Sequence, residues 1–178
     1  MIRARSPRLQ ARMAGVFYLF TFLTGFPALV LPGELRVALG LVAGACYVAV
    51  TVLFYFLFKP VNRGLSFFAA FLSLAGCAAG PVSALLHFDL PVNPLVFFGF
   101  YCLLIGYLIF GATFLPRIPG VLMAFAGLGW LTFLSPKLAS HLSPYIFAPG
   151  ILGEGALTLW LLTMSVDAER SNEQARSE

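Results

Sequence analysis

A single carboxylate, Glu154, stands inside the otherwise uncharged stretch SPYIFAPGILGEGALTLWLLTMSV. A lone acid in such surroundings can tie helices together, carry or donate a proton, or meet the polar group of a bound molecule. At helical spacing it shares a face with Gly150, Thr158, Leu161 and Ser165. Other segments offer partners by type: Tyr18, Thr21 and Thr24 in one, the i, i+4 stripe Tyr47, Thr51 and Tyr55 in a second, Tyr101 and Tyr107 in a third. Glu154 is therefore the candidate catalytic acid, and Tyr18, Tyr47, Thr51, Tyr101 and Thr158 are candidates for ligand contact. Arg36, His87 and Asp89 complete the ligand set. With Glu34, Lys137 and His141 they would close a polar, partly wet pocket beyond one end of the segments.

Competing chemistries lack their residues. The run HFD (His87, Asp89), with His141 and Glu154, offers mixed nitrogen and oxygen ligands, but there is no helical HExxH, and loop-edge histidines serve as polar anchors. No metal and no cofactor is expected. Ser83, Ser135, Ser140 and Ser143 have no nucleophile-elbow context, and GPVSALL and AGLGWL lack the lysine of a phosphate loop. Cys46, Cys77 and Cys102 match no metal or redox spacing and read as small apolar packing residues.

What must position these side chains follows from composition. Of 178 residues, 60% are hydrophobic and 10% charged, against about 45–50% and about 25% in soluble domains. Too little polar surface remains to cover a water-soluble globule, so the lipid bilayer is the expected surrounding. The net charge of +4 does not point to nucleic acid, because the basic residues flank apolar runs instead of sharing one folded face.

Six spans can be drawn, at about 13–31, 35–58, 65–88, 93–114, 118–134 and 145–166, separated by LPGELR, FKPVNRG, FDLPVNP, LPRIPG and SPKLASHLSP. Each break carries proline, which stops a helix. The expected fold is all-α, an integral-membrane six-helix bundle: a basic N-terminal segment (1–12), a transmembrane domain (13–166) and a polar tail (167–178). The opening stretch reads as a retained first span and not as a cleaved signal, because its apolar part is too long. With the N-terminus inside, the inner segments hold nine Lys and Arg and the outer loops only Arg36 and Lys137. That bias places both termini in the cytoplasm.

Small residues recur four apart: Gly40 and Gly44, Gly76 and Gly80, and near them in spacing Gly120, Ala124 and Gly127. In lipid such faces supply packing contacts. Gly44 and Gly76 are expected at helix–helix contacts within the chain, and homodimerisation is the alternative use of these faces.

The blocks FYFLFKPVNRGLSFFAAF, FFGFYCLLIGYLIFGATFLPRIPGVLMAFAGLGWL and GEGALTLWLL, with the opening ARMAGVFYLFTFLTG, resemble the bacterial multispanning membrane proteins grouped as domain of unknown function 4386. The resemblance covers nearly the whole chain. It implies a multi-pass protein of the bacterial inner membrane, with no activity established for the family as a whole. It also implies His at position 101 and a basic residue near position 73, where this chain has Tyr101 and Ser73. A chemistry resting on those two residues would be lost or altered here. The family's acidic position is present as Glu154.

Three functions are ranked from these residues. First comes a non-catalytic bundle that binds a small ligand or lipid or serves as a partner subunit. Second is a membrane-embedded lyase, cyclase or isomerase with Glu154 as general acid on a lipophilic substrate. A small proton-coupled carrier is third.

Overall fold

Prolines, glycines and short polar caps set the helix boundaries. The computed structural model of the protein describes residues 6–86 and 92–176. Helix α1 (Pro7–Val30) starts where the Ser6 hydroxyl accepts from Leu9 N, with Pro7 in the first turn. Both features favour a helix start. Leu31 and Pro32 break the chain, and Gly33, at φ +72°, reopens it as α2 (Gly33–Phe58). The Asn62 side chain caps α3 (Arg63–Leu86) through Leu65 N, and Asn93 does the same for α4 (Leu95–Gly111) through Leu95 N. PRIPG opens α5 (Arg117–Leu131), which runs into a 3-10 turn over Thr132–Leu134. Then come α6 (Pro136–Leu142), a 3-10 turn at Tyr145–Phe147, α7 (Ala148–Thr163) and α8 (Ala168–Arg176).

The described residues are all-helical, and four segments are long and apolar enough to cross a membrane: Gly33–Phe58, Arg63–Ser83, Arg117–Leu134 and Tyr145–Thr163. The eight α-helices among the described residues exceed the six spans drawn from the sequence by α6, inside the SPKLASHLSP break, and α8, inside the polar tail. Helices α1, α2, α3, α4, α5 and α7 pack pairwise in that order, and α7 returns to α1, so the six close a ring. Its outer faces show Phe67, Phe71, Leu128 and Leu159 to the surroundings. A water-soluble bundle would keep its polar residues there.

Glycine brings α4 and α5 into backbone contact. A Cβ at Gly106 would lie 2.8 Å from Gly120 O, and one at Gly127 would lie 2.8 Å from Gly99 O. Two glycine pairs therefore face each other across antiparallel helices. Gly76 sits as expected at a contact, with Phe98 of α4 2.9 Å from where its Cβ would be. Gly44 does not: nothing lies within 4 Å of that point, and the same holds for Gly40 and Gly80 among the described residues. The spacing is right, but the facing helix stands too far away.

Both ends of the chain are more ordered than a plain arm and tail. The basic segment is helical from Pro7, with Ala11 fully buried. Asp167 caps α8 by accepting from Glu169 N and Arg170 N, and Gln174 clasps the α4–α5 turn. Its Nε2 donates to Gly111 O, and its Oε1 accepts from Thr113 N and Oγ1.

Candidate functional site

Helix α7 begins at Ala148 with Pro149 in its first turn, so Glu154 lies less than two turns in. Its buried face is Gly150, Gly153, Glu154, Leu157, Thr158 and Leu161, the face read from helical spacing. Gly153 and Gly150 let α7 press on α5: a Cβ at the first would strike Leu122 O, and one at the second the Trp130 ring. This approach carries Glu154, only 5% exposed, into the centre of the ring.

Four donors from four other helices meet the carboxyl group there. Tyr18 Oη (α1) donates to Oε2 at 2.7 Å, and Trp130 Nε1 (α5) donates to Oε1 at 2.7 Å. Tyr47 Oη (α2) reaches Oε2 at 3.4 Å and stands 3.3 Å from Tyr18 Oη. Cys102 Sγ (α4) points at Oε1 from 3.7 Å. The first two are strong, well-formed bonds; the second two are long, and a thiol is a weak donor. Among the described residues no cation pairs with Glu154, so its partners are neutral. Tyr18 and Tyr47 meet edge to face at 5.4 Å, and Tyr47 packs on Phe98 at 4.8 Å. These ring contacts hold the hydroxyls in place.

The remaining sequence candidates fall at different distances from the carboxyl. Thr158 Oγ1 donates to the backbone O of Glu154 at 2.7 Å, and so supports its helix without touching the side chain. Thr51 bonds Tyr47 O and, at 2.6 Å, the Ser73 hydroxyl. Ser73, where the resemblance implied a base, is thus fully buried in a neutral pair. Tyr101 is buried with its ring 6.0 Å from Tyr47, and its hydroxyl has no hydrogen-bond partner among the described residues. Tyr107 is 64% exposed on the outer face and leaves the set. Arg36 is exposed in the first turn of α2 and does not reach Glu154. His87 and Asp89 lie outside the described residues.

A cavity of about 250 Å³ opens beside the cluster, with Glu154, Trp130, Tyr47, Phe98, Cys77 and Gly44 among its walls. The polar vestibule expected from Glu34, Arg36, Lys137 and His141 does not form its lining; those four side chains are exposed. Instead the space is apolar apart from the carboxyl, the indole, the Tyr47 phenol and the Thr21 hydroxyl. Gly44 leaves room where a side chain would otherwise fill it.

Residues 92–165 match the family model described as domain of unknown function (DUF4386). The match agrees with the resemblance read from the sequence and covers Tyr101, Cys102, Trp130 and Glu154. Tyr18 and Tyr47 come from helices before it. No curated protein and no solved structure matches the chain.

Sequence reasoning missed Trp130 and Cys102. Trp130 did carry a signal: an indole N–H in an apolar span needs an acceptor, and acceptors inside the spans are few. Cys102 gave none, since a thiol beside Tyr101 reads equally well as packing.

Proposed function

We propose that the protein binds a small lipophilic molecule inside a six-span bundle of the bacterial inner membrane, with both termini in the cytoplasm. The observation that carries the reading is the apolar cavity of about 250 Å³ with one buried carboxyl on its wall. Ligand sites of this kind are mostly apolar with a few placed polar groups, over a usual range of about 300–1,000 Å³. This cavity is slightly smaller, which suits a compact ligand or one segment of a lipid chain. The two long contacts, from Tyr47 and Cys102, are the ones a ligand donor would displace at Glu154, because they contribute least. Tyr47, Phe98 and Trp130 would flank such a group, and aromatic faces also favour a cationic one.

The orientation rests on the nine-to-two distribution of Lys and Arg, and the span count on the ring formed by α1–α5 and α7. Reporter fusions after Phe58, Phe114 and Val166 should read cytoplasmic; a C-terminal fusion that reads external overturns six spans.

A second reading has one observation of its own. The Tyr18 and Tyr47 hydroxyls both reach Oε2 and lie 3.3 Å apart, a geometry through which a proton can pass. It favours an enzyme of the lyase, cyclase or isomerase type with Glu154 as general acid, and less directly a proton-coupled carrier.

Gly44→Phe separates these readings from an empty structural gap, since its Cβ has open space and its ring would occupy the cavity. A lipophilic species enriched in extracts of purified wild-type protein should fall at least about tenfold in the variant. Equal extracts from both would end the binding proposal. A metabolite that changes in whole cells only with Glu154→Gln would instead favour the enzyme.

A further inference from the structure

A second cavity, of about 370 Å³, opens at the start of α1, far from Glu154. Arg8 and Arg12 line it from successive turns of α1, facing Phe114, Trp160, Met164 and Asp167. Met164 lies ten residues beyond Glu154, roughly 15 Å along the chain axis at 1.5 Å per residue. The pocket's geometry is fixed by the end of α7. Ser165 turns the backbone at φ +60°, and its hydroxyl donates to Arg8 O at 3.2 Å, which pins the two helix ends together.

The charges there are placed against the helix dipole. The first turns of a helix carry roughly +0.5 charge and favour anions, yet α1 has no acid in its first turn and puts two guanidiniums beside it. Among the described residues neither arginine has an ion-pair partner. Asp167, the one acid on the wall, is committed elsewhere. It caps α8 and lies 3.5 Å from Arg170 Nε. The pocket thus carries two cations, and its one acid is already engaged by α8 and Arg170. Phe114, Trp160 and Met164 supply an apolar part of its wall, and the uncharged run of α1 begins at Met13 with exposed Val16, Leu19 and Phe20 following. On the six-span reading proposed above, Arg12 and the indole of Trp160 would both stand at headgroup depth, where interfacial tryptophans are found.

We propose that this pocket seats the phosphate of an anionic phospholipid, gripped by Arg8 and Arg12, with its glycerol and first methylenes against Trp160 and Met164. Guanidiniums bind phosphate in paired, charge-assisted hydrogen bonds, and basic pockets between membrane helices take acidic lipid headgroups.

The test follows thermal unfolding of the full-length protein in neutral detergent. Additions are phosphatidylglycerol, phosphatidylcholine with the same chains, or millimolar inorganic phosphate. Phosphatidylglycerol should raise the midpoint by several degrees and the other two should not. The gain should vanish in Arg8→Gln/Arg12→Gln and persist in Lys59→Gln/Arg63→Gln, which removes the same charge elsewhere. Met164→Glu, at a 69% exposed position, adds a like charge at the wall and should also abolish the gain if the double arginine variant folds poorly. A response to inorganic phosphate alone would show a free-anion site and overturn the lipid assignment. Equal gains from both lipids, or equal losses in both charge variants, would overturn it as well.

Discussion

The two sides of the ring use the same small-residue spacing to opposite ends. On the α4–α5–α7 side, Gly99, Gly106, Gly127 and Gly153 are spent on contact, each with a neighbour closer than an added Cβ would tolerate, and Gly120 is nearly as tight. On the α2–α3 side, Gly40, Gly44 and Gly80 face open space among the described residues, and Gly76 touches a neighbouring helix. A glycine four residues from another glycine permits close approach; it does not compel it. What decides is whether the facing helix offers its own gap, as Gly99 does to Gly127. In lipid this matters more than in water, because apolar burial gives little drive between helices and the packed surface must supply it. The tight side holds Glu154 in place, and the open side leaves the cavity beside it.

The largest expected effect comes from closing the tight side. Gly127→Leu or Gly106→Leu would force α4 and α5 apart along their backbones and should cost about 3 kcal/mol or more, the upper range of overpacking. Gly44→Leu should cost under about 1 kcal/mol, since the added atoms enter space already open. Unfolding midpoints of the three variants in one detergent give the comparison. Similar losses in all three would mean that the two sides do not differ as described.

Next in size is the carboxyl that joins them. Glu154→Leu leaves Trp130 Nε1 and Tyr18 Oη without their short partner, and each orphaned buried donor costs roughly 1–3 kcal/mol. Glu154→Gln is expected to cost less than about 1 kcal/mol. Its carbonyl can face the indole, which only donates, while its amide donates to Tyr18, whose hydroxyl can turn and accept. Equal destabilisation by Leu and Gln would show that the contact needs the acid itself. A stable Leu variant would remove Glu154 as the tie between the helices.

Much of this arrangement is legible in the sequence. The proline-bearing breaks placed the helix ends, and the apolar runs between them gave the all-helical class. Helical spacing gave the inward face of α7 and brought Tyr18 and Tyr47 forward as partners. Arg36 stays exposed and away from Glu154 because proximity to a span end says nothing of how far a side chain reaches inward; Tyr47, three turns deeper on α2, reaches it instead. Gly44 was misread for the reason the two sides differ: its local spacing is that of Gly120, and only the facing helix distinguishes them. Helix α8 was hidden because its sequence is polar throughout, and its anchor, Gln174 on Gly111 and Thr113, is a contact between residues far apart in the chain.

The smallest effect bears on the open side itself. Gly40 and Gly80 are exposed helical glycines with nothing within 4 Å of an added Cβ among the described residues. Alanine there removes backbone freedom from the unfolded chain without meeting a neighbour, which in a helix is worth roughly 0.5–1 kcal/mol. Gly40→Ala and Gly80→Ala should therefore each raise the unfolding midpoint slightly, and the same exchange at Gly120 should lower it, because a Cβ there comes within 3.1 Å of Gly106 O. The sign at Gly40 also tests the homodimer that the spacing alone allows. If a second copy covers this stripe in the membrane, the added methyl pushes the copies apart. Stability would then fall, and it would fall more at high protein concentration than in dilute detergent. A gain that is independent of concentration leaves the stripe facing lipid, and the cavity behind Gly44 open from that side.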